Sequence, residues 1–144
     1  MGHAREVRVR LAAELMEKLG PGGFVFLPGA GMVREGHGTI GPSGLASVLS
    51  RTEYYVWNSY HEFAYYESFR FREAVLAGAV PCKIDAEAAS WERIGIPGVF
   101  PSVDAFRESI RSEGFVRMRE SAREFYLSRG RLSDHLEKTL SHWE

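Results

Sequence analysis

The charged residues best placed to do chemistry in this chain are Arg70 and Glu73, which stand three positions apart. The apolar spacing around them predicts a helix over 66–77, and residues at this separation share one helical face. A carboxylate there can accept two hydrogen bonds from a vicinal diol, such as the paired hydroxyls of a ribose. An arginine one turn earlier, nearer the positive end of the helix, can meet a diphosphate. The alternative is an ordinary ion pair between the two residues, worth a few tenths of a kcal/mol.

A glycine-rich segment is the second candidate for ligand contact. Gly29 and Gly31 directly follow a predicted strand, where backbone N–H groups can approach a phosphate, and Arg34 follows shortly after. The full Gly-x-Gly-x-x-Gly spacing of dinucleotide-binding loops is not met, because Arg34 occupies the third glycine position. An ordinary flexible loop is therefore the alternative to a diphosphate-binding one.

The loop before the helix at 66–77 supplies the remaining candidates. Ser59, His61 and Tyr65 are expected to line a cleft at the carboxyl end of the sheet, and Ser68 lies at the start of the helix. For His61, an exposed loop histidine without a ligand is the alternative. No histidine has metal-ligand spacing with cysteine or acidic partners, so no metal site is predicted.

The elements that must position these residues are helices and short strands in alternation. Apolar residues at helical spacing predict helices over 4–19, 42–49, 66–77, 102–113 and 115–128, and a last one through Leu132, Leu136 and Leu140. Continuous apolar or aromatic runs predict strands at 24–27, 53–58 and 80–84, with a brief one at 39–41. Residues 86–101 are expected to be irregular, since glycine and proline interrupt them.

This alternation predicts an α/β fold, namely a Rossmann-like three-layer domain with a mainly parallel sheet and a helical C-terminal tail. The length of 144 residues suits one domain. Within it we expect residues 1–101 to form the α/β core and residues 102–144 to form the C-terminal helices.

Composition limits the partners and the cellular compartment that we expect for this chain. The net charge is −1, which gives no electrostatic reason to expect nucleic acid as a partner. The single cysteine, Cys82, stands in an apolar run and predicts a buried thiol rather than a disulfide. No run approaches the roughly 18 apolar residues of a membrane span, and the N-terminus has no apolar signal region. A cytoplasmic, reducing location is the resulting expectation.

One longer motif joins several of these residues. It reads Arg-x-x-Glu-Ala-x-x-x-Gly-x-x-Pro, from Arg70 through Glu73 and Gly78 to Pro81, and leads into the predicted strand that ends at Ile84. This stretch resembles the C-terminal, donor-binding half of GT-B glycosyltransferases. It is most similar to the exostosin-type and spore-coat glycosyltransferase-like branches, and the resemblance extends over roughly residues 24–129.

The resemblance implies that this chain binds a nucleoside-diphosphate sugar, with Glu73 on the ribose. It implies no cofactor other than this substrate. Tyr65 stands where many such enzymes have a second glutamate, and the chain does not include the N-terminal acceptor domain with its usual catalytic base. An acceptor domain or a partner subunit is therefore expected to complete catalysis, and no catalytic residue is assigned. The alternative is a non-catalytic Rossmann-like interaction module that has lost its ligand.

Overall fold

The computed structural model describes residues 2–20, 42–59, 67–85 and 96–128, and within them five helices and three strands. The helices are α1 (Gly2–Leu19), α2 (Pro42–Leu49), α3 (Ser68–Ala77), α4 (Val103–Ser112) and α5 (Gly114–Ser128). The strands are β1 (Tyr54–Trp57), β2 (Val80–Ile84) and β3 (Val99–Phe100). The strands predicted at 24–27 and 39–41 and the helix predicted after residue 130 lie outside the described residues.

The three strands form one parallel sheet in the order β1-β2-β3. Trp57 on β1 is in register with Lys83 on β2, and Lys83 is in register with Val99 on β3. The α/β class and the parallel sheet predicted from the sequence are therefore confirmed for this part of the chain. The strand β3 was missed, because it has only two residues and lies in a segment predicted to be irregular.

One face of the sheet is packed by α1, α4 and the first half of α5. Alternate residues of β2 point to this side, beginning with the buried side chains of Val80 and Cys82. They pack against Phe106 of α4 and Met118 of α5, while Leu11 of α1 covers the edge of the cluster. Burial of this apolar surface holds these three helices to the sheet.

The opposite face is packed by α3 and the second half of α5. Trp57, Phe71 and Val99 form its buried cluster, and Phe125 and Tyr126 of α5 pack against them. The ring of Trp57 meets Phe71 edge-on at 4.8 Å between centroids, which is a favourable aromatic arrangement. Because α5 contributes to both clusters, the helices after β3 are part of the packed α/β body, although the sequence suggested a helical tail.

Local signals in the sequence fix the ends of the central elements. The helix α3 ends at Gly78 with a φ of 89°, a left-handed conformation that glycine adopts without a steric penalty. The helix α4 begins after Ser102, whose hydroxyl accepts a hydrogen bond from the backbone N–H of Ala105 at 3.2 Å. Among the helices of the described ranges, none is both long and apolar enough to cross a membrane.

Candidate functional site

Polar residues follow β1 and β2 where the two strands end. Ser59 comes shortly after β1, and Asp85 directly follows β2. Because parallel strands have their carboxyl ends at the same edge, the two side chains meet, and Ser59 Oγ donates a hydrogen bond to Asp85 Oδ2 at 2.6 Å. This edge is where open α/β sheets bind their ligands.

Glu67 brings a second carboxylate to the same region. It occupies the N-cap position of α3, but its side chain makes no capping hydrogen bond. Instead, Glu67 Oε2 accepts a hydrogen bond from Trp57 Nε1 at 2.7 Å, and Oε1 pairs with Arg70 Nε at 3.0 Å. Only 8% of the side chain is exposed, so the carboxylate anchors the start of α3 to the end of β1.

Lys83 lies between the two carboxylates. Its side chain is fully buried, and its Nζ lies 3.9 Å from Glu67 Oε2 and 3.9 Å from Asp85 Oδ2. Burial lowers the pKa of Lys83 below its ordinary value, while Glu67 and Asp85 oppose that shift. Lysine is rarely found fully buried unless it is paired, so this position in the middle strand is unusual.

Arg70 is oriented by the same cluster. Besides its ion pair with Glu67, it places Nη1 3.4 Å from the hydroxyl oxygen of Tyr55, and 37% of its side chain is exposed. Among the described residues, the cations Arg70 and Lys83 pair with the carboxylates of Glu67 and Asp85. The alternative raised for Arg70, an ion pair with Glu73, is not formed, since its partner is the residue one turn earlier in the chain.

The predicted site residues are distributed unevenly in the structure. Glu73 lies half-buried on α3, and among the described residues its carboxylate makes no hydrogen bond or ion pair. Ser68 is the first residue of α3, and its side chain is not described. The other five candidates, Gly29, Gly31, Arg34, His61 and Tyr65, lie outside the described residues.

The sequence-based assignment missed Glu67, Lys83 and Asp85 as members of one cluster. A signal for Lys83 was present, because a lysine inside an otherwise apolar strand must either reach a sheet edge or find a buried partner. The pairing of Trp57 with Glu67 had no such signal, since it depends on how α3 is placed over β1. In the described ranges, no group of three or more histidine, cysteine, aspartate or glutamate side chains is arranged to hold a metal ion.

Known proteins offer no further guide to this site. Comparison of the chain with protein-family models, with curated proteins and with solved structures finds no match. The function is therefore argued from the geometry of the cluster formed by Ser59, Glu67, Arg70, Lys83 and Asp85, here called the edge cluster.

Proposed function

We propose that this chain is a Rossmann-like, GT-B-type domain that binds a nucleoside-diphosphate sugar for transfer of the sugar to an acceptor. The observation that carries this proposal is the edge cluster. It brings two carboxylates, two cations and a hydroxyl to the carboxyl edge of a parallel sheet with helices on both faces. Open α/β folds bind nucleotides at this edge.

The nucleotide is assigned to the side of the site next to α3. Glu73 accepts hydrogen bonds from the two ribose hydroxyls, because its carboxylate is not used by the described residues and it lies on α3 one turn after Arg70. Arg70 contacts the diphosphate. Glu67 holds Arg70 through Nε and the Tyr55 hydroxyl accepts from Nη1, so it is the Nη2 N–H groups that are assigned to phosphate oxygens. Gly29, Gly31 and Arg34 are assigned to the same diphosphate, and His61 and Tyr65 to the lining of the cleft, on their place in the sequence alone.

Catalysis is assigned to a second domain or subunit that binds the acceptor. No residue of this chain is given a catalytic role, and no cofactor is needed for transfer from an activated sugar. We place the protein in the cytoplasm, because its one cysteine is a buried free thiol that suits a reducing compartment.

Isothermal titration of the purified chain with UDP, GDP and dTDP tests this function. We expect one of the three to bind, and Glu73→Ala to weaken that binding by at least about tenfold, because the ribose loses its hydrogen-bond acceptor. Glu120→Ala is the matched control, since this glutamate is exposed on α5. Equal binding by wild type and Glu73→Ala, or no binding of any diphosphate, would contradict the proposal.

One observation favours the alternative of a non-catalytic interaction module. Glu67 engages Trp57, Arg70 and Lys83 at once, so much of the edge cluster is satisfied inside the chain and has a structural role. This alternative predicts that none of the three diphosphates binds. The same titration therefore separates the two functions.

A further inference from the structure

The helix α1 carries a large share of the exposed apolar surface of this protein. Among the described residues, eight large apolar side chains are exposed, and four of them lie on α1, namely Val7, Val9, Met16 and Leu19. Their exposed fractions range from 43% to 57%. Single exposed apolar residues are normal on a protein surface, but their concentration on one helix marks a candidate interaction site.

The apolar residues of α1 form two faces. The first contains Leu11 and Leu15, which pack against the core cluster around Phe106. The second, here called the α1 stripe, consists of Val9, Ala12, Ala13 and Met16. These four positions have the i, i+3, i+4, i+7 spacing that places side chains on one side of a helix. Because the first face already packs on the core, the stripe is available for a second apolar partner.

The α1 stripe is symmetric about its own midpoint. Two alanines stand in its centre, with Val9 three residues before them and Met16 three residues after them. A second copy placed antiparallel, with a two-fold axis between the alanines, sets Val9 against the partner's Met16. Small side chains at the crossing point let the two helix backbones approach closely, so the larger side chains on either side come into contact. This self-complementarity is what an interface between two identical copies requires.

The charged residues beside the stripe are compatible with this arrangement. Glu6 and Arg10, which form an exposed ion pair, lie on one flank of the stripe together with Glu17. An antiparallel pair brings the same flank of each copy together, so the ion pair of one copy faces the partner's Glu17. Arg10 then lies between two carboxylates, which limits the repulsion between them.

We propose that this chain forms an antiparallel homodimer through the α1 stripe. A second copy is the occupant because the stripe matches itself in spacing and size and has no charged or polar group to select another partner. A single pair of helices buries less than the about 800 Å² per partner of a typical stable complex, so the dimer is weak and depends on concentration. It is independent of the proposed nucleotide contacts, since α1 and α3 pack on opposite faces of the sheet.

Sedimentation velocity of the full chain from about 5 μM to about 500 μM tests this dimer. We expect mainly monomer at the lowest concentration and mainly dimer at the highest, with a dissociation constant of about 50 μM. Met16→Glu should weaken association at least about tenfold, because each copy then places a carboxylate against the partner's Val9. Val116→Glu is the matched control, since Val116 is 55% exposed on α5, and it should leave association unchanged. Circular dichroism verifies that both variants are folded.

Introduced thiols test the orientation of the two helices independently. Cys82 is the single cysteine of the sequence and is buried, so oxidation reports on the new thiols. A mixture of Val9→Cys and Met16→Cys should form a disulfide between the two variants. Each variant alone should not, because the antiparallel pair separates equal positions by about 10 Å along the helices, beyond the roughly 7 Å that a disulfide can span.

Three outcomes would overturn the proposal. The first is a monomer at every concentration, as expected if residues 21–41, which follow α1 and lie outside the described residues, cover the stripe instead. The second is equal association of the wild type and Met16→Glu, or equal weakening by Met16→Glu and Val116→Glu, which would place the interface elsewhere. The third is disulfide formation in each single variant but not in the mixture, which would mean a parallel pair.

Discussion

At the scale of single residues, the central feature is a lysine in the middle strand of a parallel sheet. Its neighbours in register are Trp57 and Val99, and its cation lies 3.9 Å from each of two carboxylates. Removing a charge from water is unfavourable, and nearby opposite charges and hydrogen bonds offset that cost. Lys83 is therefore stable where it is because Glu67 and Asp85 are there, and the three side chains depend on one another.

The first prediction concerns this dependence. Lys83→Met keeps a long apolar stem but leaves Glu67 and Asp85 without their shared cation, so we expect a loss of about 3 kcal/mol in the free energy of unfolding. Adding Asp85→Asn should restore part of it, because one of the two carboxylate charges beside the lost cation is then removed while Glu67 keeps its ion pair with Arg70. Urea unfolding followed by circular dichroism measures all three proteins.

A second lysine provides the control for this prediction. Lys18 also lies beside two carboxylates, at 2.8 Å from Glu14 and 2.7 Å from Asp104, but on the surface. Since water screens such pairs, Lys18→Met should be much less destabilising than Lys83→Met. Equal effects of the two substitutions would show that burial of Lys83 has no energetic importance.

The second prediction is a pH dependence caused by Cys82. Its thiol is fully buried, and burial raises its pKa well above the ordinary value of 9.0. Above pH 9 the unfolded chain releases the thiol proton while the folded chain retains it. Cys82 should therefore lower the free energy of unfolding by about 1.4 kcal/mol for each unit by which the pH rises, until the pH reaches the raised pKa of the folded chain. This contribution is absent below pH 9, where the thiol is protonated in both states.

The variant Cys82→Ala isolates this effect. It should be less stable than the wild type near pH 7, because it leaves a small cavity, but its stability should fall less steeply between pH 9 and pH 10. Urea unfolding at closely spaced pH values gives both slopes. Parallel slopes for the two proteins would mean that Cys82 does not contribute to alkaline destabilisation.

At the scale of elements, the sequence predicted the local parts of the structure well. Helical apolar spacing and glycine or serine boundary signals gave α1 to α5, and apolar runs gave β1 and β2, all within a few residues of their observed ends. The strand β3 could not be predicted in this way. Its backbone is extended because it pairs with β2, through Lys83 N to Gly98 O at 2.7 Å and Asp85 N to Phe100 O at 2.9 Å. Such pairing is a property of the assembled sheet.

The third prediction tests the turn at Gly98, which precedes β3 and positions it to pair with β2. Gly98 has a φ of 84°, and a Cβ added there would lie 2.1 Å from the carbonyl oxygen of Pro81. Gly98→Ala must therefore shift the backbone where β3 begins, and we expect it to cost more than about 2 kcal/mol of stability. Urea unfolding measures this loss.

Gly78 is a matched control for the effect of conformation alone. Its φ is 89°, but a Cβ added there meets nothing within 4 Å. Gly78→Ala should therefore cost only the left-handed backbone strain, about 1 kcal/mol. If Gly78→Ala proved as destabilising as Gly98→Ala, the close approach of Gly98 to β2 would not be the cause.

At the scale of the whole molecule, the described elements form one α/β body in which distant parts of the sequence meet. The alternation of helices and strands was sufficient to predict the class of fold. The edge cluster was only partly predictable, because Arg70 and Glu73 share a motif whereas Glu67, Lys83 and Asp85 come together through tertiary packing. The position of α5 across both packed faces is likewise a product of the folded chain, which local patterns do not encode.

The fourth prediction follows from the place of α4 and α5 in the core. Phe106 of α4 is completely buried against β2, and Tyr126 of α5 stacks on Phe71 at 5.6 Å on the other side of the sheet. A chain shortened to residues 1–101 would expose to water the parts of both sheet faces that α4 and α5 cover. We therefore expect it to show no cooperative urea transition, because the lost apolar burial exceeds the small net stability of a domain. A chain of residues 1–128 keeps every described core side chain and should unfold cooperatively. Cooperative unfolding of 1–101 would show instead that the α/β core is independent of the helices that follow it.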